Sequence, residues 1–144
     1  MINDDTVKLL RECDAGIKMG TSSIEEVLDD VRCADLRKIL SQCLNEHEDL
    51  AKRVELKLEK CCDEGKDPNP ITKGMSWIKT NLMLGMNDSD KTVADLMTDG
   101  CNMGVKSLNK YLNKYKAADE ESKDITKRLI NLEEQLCIDM RDYL

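Results

Sequence analysis

From Leu36 to Cys61 an apolar side chain recurs every third or fourth position, through Leu36, Ile39, Leu40, Cys43, Leu44, Leu50, Ala51, Val54, Leu58 and Cys61, with His47 as the one polar member. No glycine or proline interrupts the series. This period fits the helical turn and not the two-residue alternation of a strand. A helix of that length with one greasy side must be covered by other helices, because tertiary burial rather than propensity stabilises it. Turn residues are scarce elsewhere as well: seven glycines are scattered, and the only prolines, Pro68 and Pro70, stand almost together. A sandwich or barrel needs turn signals at every hairpin, so an all-β fold is excluded and an all-α fold is expected.

The remaining stripes complete the plan. Val7, Leu10, Ile17, Ile24, Leu28 and Val31 predict a first helix from Asp4 to about Asp30, capped by Asn3 or Asp4, with Asp14 and Thr21 as polar intruders on its apolar side. Gly16, Gly20, Thr21, Ser22 and Ser23 lower helix propensity there and predict a bend or a frayed middle. The second helix ends in Asp63-Glu64-Gly65-Lys66-Asp67-Pro68-Asn69-Pro70, where Gly65 can terminate it and the prolines forbid continuation. A shorter helix over 71–86 places Met75, Ile78, Leu82 and Met86 on one side, beside Trp77. Asn87-Asp88-Ser89-Asp90 then reads as a turn and cap. Val93, Leu96, Met97, Cys101, Leu108 and Leu112 mark a further long helix, in which Gly100 and Gly104 would let another backbone approach. Ile125, Leu129, Leu132, Leu136, Met140 and Tyr143 mark the last. We therefore expect one helical domain over 1–144: a hairpin at 4–64, a linker at 65–70, a short helix at 71–86 and a hairpin at 89–144. Two such hairpins bury their stripes best face to face, as an antiparallel four-helix bundle with an additional short helix in the crossover.

Charge and cysteines narrow the class of function. Twenty-nine acidic against twenty-two basic residues leave a formal charge of −7, which argues against nucleic acid and against anionic membrane surfaces. The longest greasy run, Leu82 to Met86, falls far short of the roughly 20 residues that span a bilayer. The acidic start, Met1-Ile2-Asn3-Asp4-Asp5, lacks the basic and apolar regions of a secretion signal, so a cytoplasmic location is expected. Seven cysteines, an odd number without a CxxC pair, indicate neither a disulfide framework nor a tetrahedral zinc site and read as small hydrophobes. Neighbouring Cys61 and Cys62 cannot share one helix face, so one of them should meet solvent, either incidentally or as a thiol redox switch.

With a single histidine, any neutral-pH base or nitrogen ligand must be His47. Its place on the stripe points it inward, and folding the first two helices about residue 33 brings Asp14 toward the same level. The two readings of His47 with Asp14 are a buried hydrogen-bonded pair that fixes helix register and the start of a bundle-core metal site. Cys43 stands one turn before His47, but no orienting carboxylate or oxyanion donor is evident for a nucleophilic thiol.

The order of two long helices, a proline-bearing crossover, a short helix with the single Trp, and two more long helices resembles an uncharacterised bacterial branch of the ferritin-like superfamily, a domain of unknown function. Local matches are Gly74-Met75-Ser76-Trp77-Ile78 and Leu84-Gly85-Met86-Asn87-Asp88, and the resemblance runs from Thr6 to Tyr143. It implies a ferritin-like bundle. Proteins of that superfamily with two metals use a Glu from each of two helices and Glu-x-x-His from each of the other two. Here Leu44 stands three before His47, Asp14 is the first helix's carboxylate, the third helix's inward level falls near Gly100 and Cys101, where a carboxylate is missing unless Asp99 turns inward, and Glu133-Glu134-Gln135-Leu136-Cys137-Ile138-Asp139 carries no histidine. A di-iron centre is therefore not expected. The reading is a non-catalytic, self-associating helical module without cofactor, with Met75, Trp77, Ile78, Met83 and Met86 as core filler or partner contact. The alternative is a metal-binding or oxidoreductase protein that holds iron or another divalent transition metal with Asp14, His47, Asp99 and Asp139.

Overall fold

The computed structural model describes residues 3–61, 63, 65–66 and 89–144. It contains four α-helices, α1 (Asp4–Leu28), α2 (Ala34–Lys60), α3 (Ser89–Lys114) and α4 (Glu120–Met140), followed by a 3-10 turn at Arg141–Tyr143, and no strand among the described residues. The all-α expectation holds. The short helix at 71–86, and with it Met75, Trp77, Ile78, Met83 and Met86, lies outside the described residues, as does Cys62.

Local chemistry sets the helix ends. Asn3 accepts the Thr6 amide at the start of α1, and Asp119 accepts that of Ser122 at the start of α4, each satisfying one of the first amides that have no intrahelical partner. α1 runs unbroken through Gly16–Ser23, against the expected frayed middle, because Ile17 and Ile24 on either side are fully packed and tertiary burial outweighs propensity. The buried face of α1 is carried by Thr6, Leu9, Leu10, Cys13, Asp14, Ile17, Ile24 and Val27.

Side-chain pairs give the helix directions. Lys57 meets Asp119 and Glu121, Arg53 meets Asp124, and His47 meets Glu133, so α2 and α4 are antiparallel. Thr6 meets Asp119 and Cys13 meets Thr126, so α1 and α4 run parallel. At one end of the bundle the Asp90 carboxylate, in the first turn of α3, accepts the amides of Arg32 (2.7 Å) and Cys33 (2.9 Å) in the α1–α2 loop. At the other end, α1 holds the α3–α4 loop in a similar way. Asn3 donates to the Ala117 carbonyl (2.6 Å), Asp5 accepts the Ala117 amide (3.0 Å), and Thr6 accepts the Asp119 amide (2.9 Å). Each hairpin's loop is thus tied down by the first turn of the other hairpin, as a pseudo-twofold relation between them requires. The order is up-down-down-up, and α2 ends and α3 begins at opposite ends of the bundle.

The apolar core has two parts. Ile24, Val27, Leu36, Leu40, Val93, Met97, Leu136 and Met140 fill the end near the α1–α2 loop. Leu10, Ile17, Leu50, Val54, Leu108, Ile125 and Leu129 fill the other. Full burial of each such side chain contributes about 1.5–3 kcal/mol, and the two clusters carry the fold.

Two predictions arise from the helix ends. Beyond α2, Asp63 accepts the Gly65 amide and Asp14 accepts that of Lys66, both at 2.8 Å, in a turn that needs φ +85° at Gly65. A Cβ there would be strained and would run into the Asp14 carboxylate. Gly65→Ala is expected to lower unfolding stability by about 1–3 kcal/mol in urea titration; an unchanged midpoint would show that the turn is not needed. In α4, the Ser122 hydroxyl is fully buried without a hydrogen-bond partner. Ser122→Ala is expected to raise stability by about 1 kcal/mol, and a lower midpoint would mean that the hydroxyl has a partner after all.

Candidate functional site

A polar level separates the two apolar clusters, and each helix presents one residue to it. α1 contributes Gly20, α2 His47, α3 Gly104 and α4 Glu133. His47 and Glu133 meet with Nε2 to Oε1 at 3.0 Å, their side chains 1% and 12% exposed. The glycines make the room: a Cβ on Gly20 would stand 3.1 Å from the His47 ring, and one on Gly104 would touch the Glu133 carboxyl carbon at 3.5 Å. Side chains on both remaining helices would crowd this pair.

The hydrogen-bond partners favour the charged form of the ring. Nδ1 lies 2.8 Å from the Cys43 carbonyl oxygen, with the Cys43 sulfur further off at 3.5 Å, and Nε2 faces the Glu133 carboxylate. A carbonyl and an ionised carboxylate only accept, so opposite these two partners both ring nitrogens donate and the ring is held as an imidazolium. Burial by itself pulls the imidazole toward neutrality. The hydrogen bonds with Cys43 and Glu133 outweigh it and raise its pKa from the ordinary 6.5 to about 10. Glu133 also faces Cys101 on α3, where burial, with the carboxylate's charge second, pushes the thiol far above its usual range. What this arrangement does chemically is limited. A base needs a free lone pair, and His47 has none while both nitrogens are engaged.

The structure separates the residues expected to share a site. Asp14 does not reach His47: its Oδ2 accepts from Lys18 Nζ and from the Lys66 amide, both at 2.8 Å, and it clamps the turn that follows α2. Asp99 is exposed on α3. Asp139 is half-buried on α4 and accepts from Gln135 at 2.9 Å. Among the described residues no group of three or more His, Cys, Asp or Glu is placed to hold a metal ion. Cys61 is half-buried against the apolar cluster at the α2 end. The residue that the sequence reading passed over is Glu133. The signal was present, since Thr126, Leu129, Glu133, Leu136 and Met140 form an unbroken three-and-four series through it. On α3 both Gly104 and buried Cys101 lie against Glu133, whereas Gly100 does not, and the Glu133 side chain rather than another backbone fills the space beside Gly104.

Next to this level, the α2–α4 seam opens into a groove of about 280 Å³. Apolar Ile39, Leu132 and Leu136 line it together with charged Lys38, Glu46 and Asp139. No helix among the described residues is long and apolar enough to cross a membrane.

No family model matches the sequence, and no curated protein matches it significantly. Among solved structures, the chain is similar to the crystal structure of a DUF305 fragment from Deinococcus radiodurans, with a TM-score of 0.78 and 10% sequence identity, over 98% of this chain and 95% of that one. Identity that low carries the fold alone, and the fold is the helical one of that domain of unknown function.

Proposed function

We propose that the chain is a ferritin-like helical module without a di-metal centre, which acts by associating with protein, first of all with a second copy of itself. One observation carries this reading: at the level where facing helices of such bundles project their ligands, this chain offers Gly20, His47, Gly104 and Glu133, and the imidazole and carboxylate are already satisfied by each other. The up-down-down-up order with its single long crossover is the connectivity of ferritin-like bundles, which supports the assignment. The donor set does not fit two ions, because glycines stand on two of the four helices and Leu44 occupies the place three before His47. No step through a metal is derived. The groove between α2 and α4 supports an associating role, since a lining that combines apolar Ile39, Leu132 and Leu136 with Lys38, Glu46 and Asp139 suits a surface that carries both charges, as this face itself does. Free thiols among the described residues suit a reducing cytoplasm.

The test is elemental analysis of protein purified without chelator, alongside light scattering on a sizing column at tens of micromolar. We expect far less than one metal per chain, the same for His47→Gln, and a mass of at least a dimer. Two tightly bound equivalents that disappear in His47→Gln would overturn the metal-free part. A monomer would overturn self-association.

A further inference from the structure

Two thiols meet across the seam of α3 and α4. Cys137 on α4 is half-buried, and its sulfur lies 3.6 Å from Asn102 Oδ1 and 3.9 Å from the Thr98 carbonyl oxygen. It therefore sits over the very turn of α3 that contains Cys101. Helical side chains lean toward the N-terminus, so the Cys101 sulfur projects toward that same Thr98 turn. The two are near enough that each thiol perturbs the other's acidity. Exposure divides their roles: Cys101 is 3% exposed, and Cys137 keeps an edge open to solvent.

We propose that Cys101 and Cys137 form a dithiol modification site, which hydrogen peroxide closes into a disulfide between α3 and α4. In the first step the Cys137 thiolate attacks peroxide; an S–O bond forms, the O–O bond breaks, and the departing hydroxide takes up a proton to leave as water. In the second, Cys101 attacks the Cys137 sulfenic sulfur; the S–S bond forms, the S–O bond breaks, and a second water leaves with the proton Cys101 gave up. Two thiols lose two electrons and one peroxide becomes two waters. Burial, first among the causes, raises the pKa of both thiols above its ordinary value, so thiolate is scarce near neutrality and the pair answers sustained rather than passing oxidant. The closed bridge also removes the Cys101 proton from its place beside Glu133, so oxidation is felt at the His47–Glu133 pair.

The experiment uses the whole chain, fully reduced and then treated with hydrogen peroxide, followed by digestion without reductant and mass mapping. The expected product joins the peptides of Cys101 and Cys137 directly, with both thiols lost together. In Cys101→Ser, Cys137 is expected to stop at a sulfenic acid that dimedone traps. In Cys137→Ser, Cys101 is expected to remain reduced at the same dose. The single histidine gives one ring signal in NMR, expected to move on oxidation of the wild type and to stay in place in treated Cys137→Ser. Recovery of Cys101 and Cys137 unlinked at doses that oxidise Cys61, or linked instead to other cysteines, would overturn the proposal. That result is read from the wild-type chain and does not depend on either variant folding.

Discussion

Replacing Glu133 with alanine is expected to lower unfolding stability by about 3–5 kcal/mol in urea titration, because it leaves the His47 imidazolium buried without its counter-charge. The pair lies between two apolar clusters, with little water to take over the carboxylate's role. Glu133→Gln keeps the shape and an acceptor oxygen, so its loss should be smaller, about 1–3 kcal/mol. Replacing both members together, as His47→Leu with Glu133→Leu, is expected to restore much of the loss, since a buried ion pair exchanged for apolar groups is often near neutral. A difference of less than about 0.5 kcal/mol between Glu133→Ala and wild type would mean that the carboxylate is not charged in the fold.

Alkali is expected to weaken the fold through the same ring. His47 has a folded pKa of about 10 against 6.5 for the free side chain, a raised value, so its contribution is fully present below 6.5 and is lost as the pH climbs to about 10. Within that window stability should fall by up to about 1.4 kcal/mol per pH unit from this group alone. The facing groups are Cys43 on its own helix, Glu133 on α4 and, behind Glu133, Cys101 on α3; α1 presents only Gly20. Above about pH 9 the raised pKa of buried Cys13 and Cys101 adds loss in the same direction, because unfolded thiols ionise first. His47→Gln separates the contributions: it should flatten the decline between 6.5 and 9 and leave the steeper one beyond. A ring signal that titrates near 6.5 in the folded wild type would contradict the buried imidazolium directly.

How much of the site was legible follows from what each residue needed. His47 was placed inward correctly, because Cys43 and Leu50 on the same stripe are buried and periodicity alone decides that. Its partner was not. Asp14 and Glu133 are both carboxylates on apolar stripes, and both are buried. What separates them is the register of α1 and α4 against α2. The turn after α2 takes Asp14 for backbone amides, whereas the antiparallel run from Lys57–Glu121 through Arg53–Asp124 brings Glu133 to the ring. The same register turns Gly104 from an expected site of backbone approach into the space that the Glu133 side chain occupies.

Helix content, the extent of the four long helices and most of the buried faces were therefore determined by the sequence alone, because burial at a period of about 3.6 residues is a local property written every few positions. Which ends of the helices adjoin, and which of several buried polar groups meet, were decided only in the tertiary structure. Those choices depend on residues far apart in the chain, such as Asp90 reaching the Arg32 and Cys33 amides, whose contact no periodicity encodes. A buried charge must find its partner across helices rather than along one, and only the assembled bundle brings His47 and Glu133 within 3.0 Å.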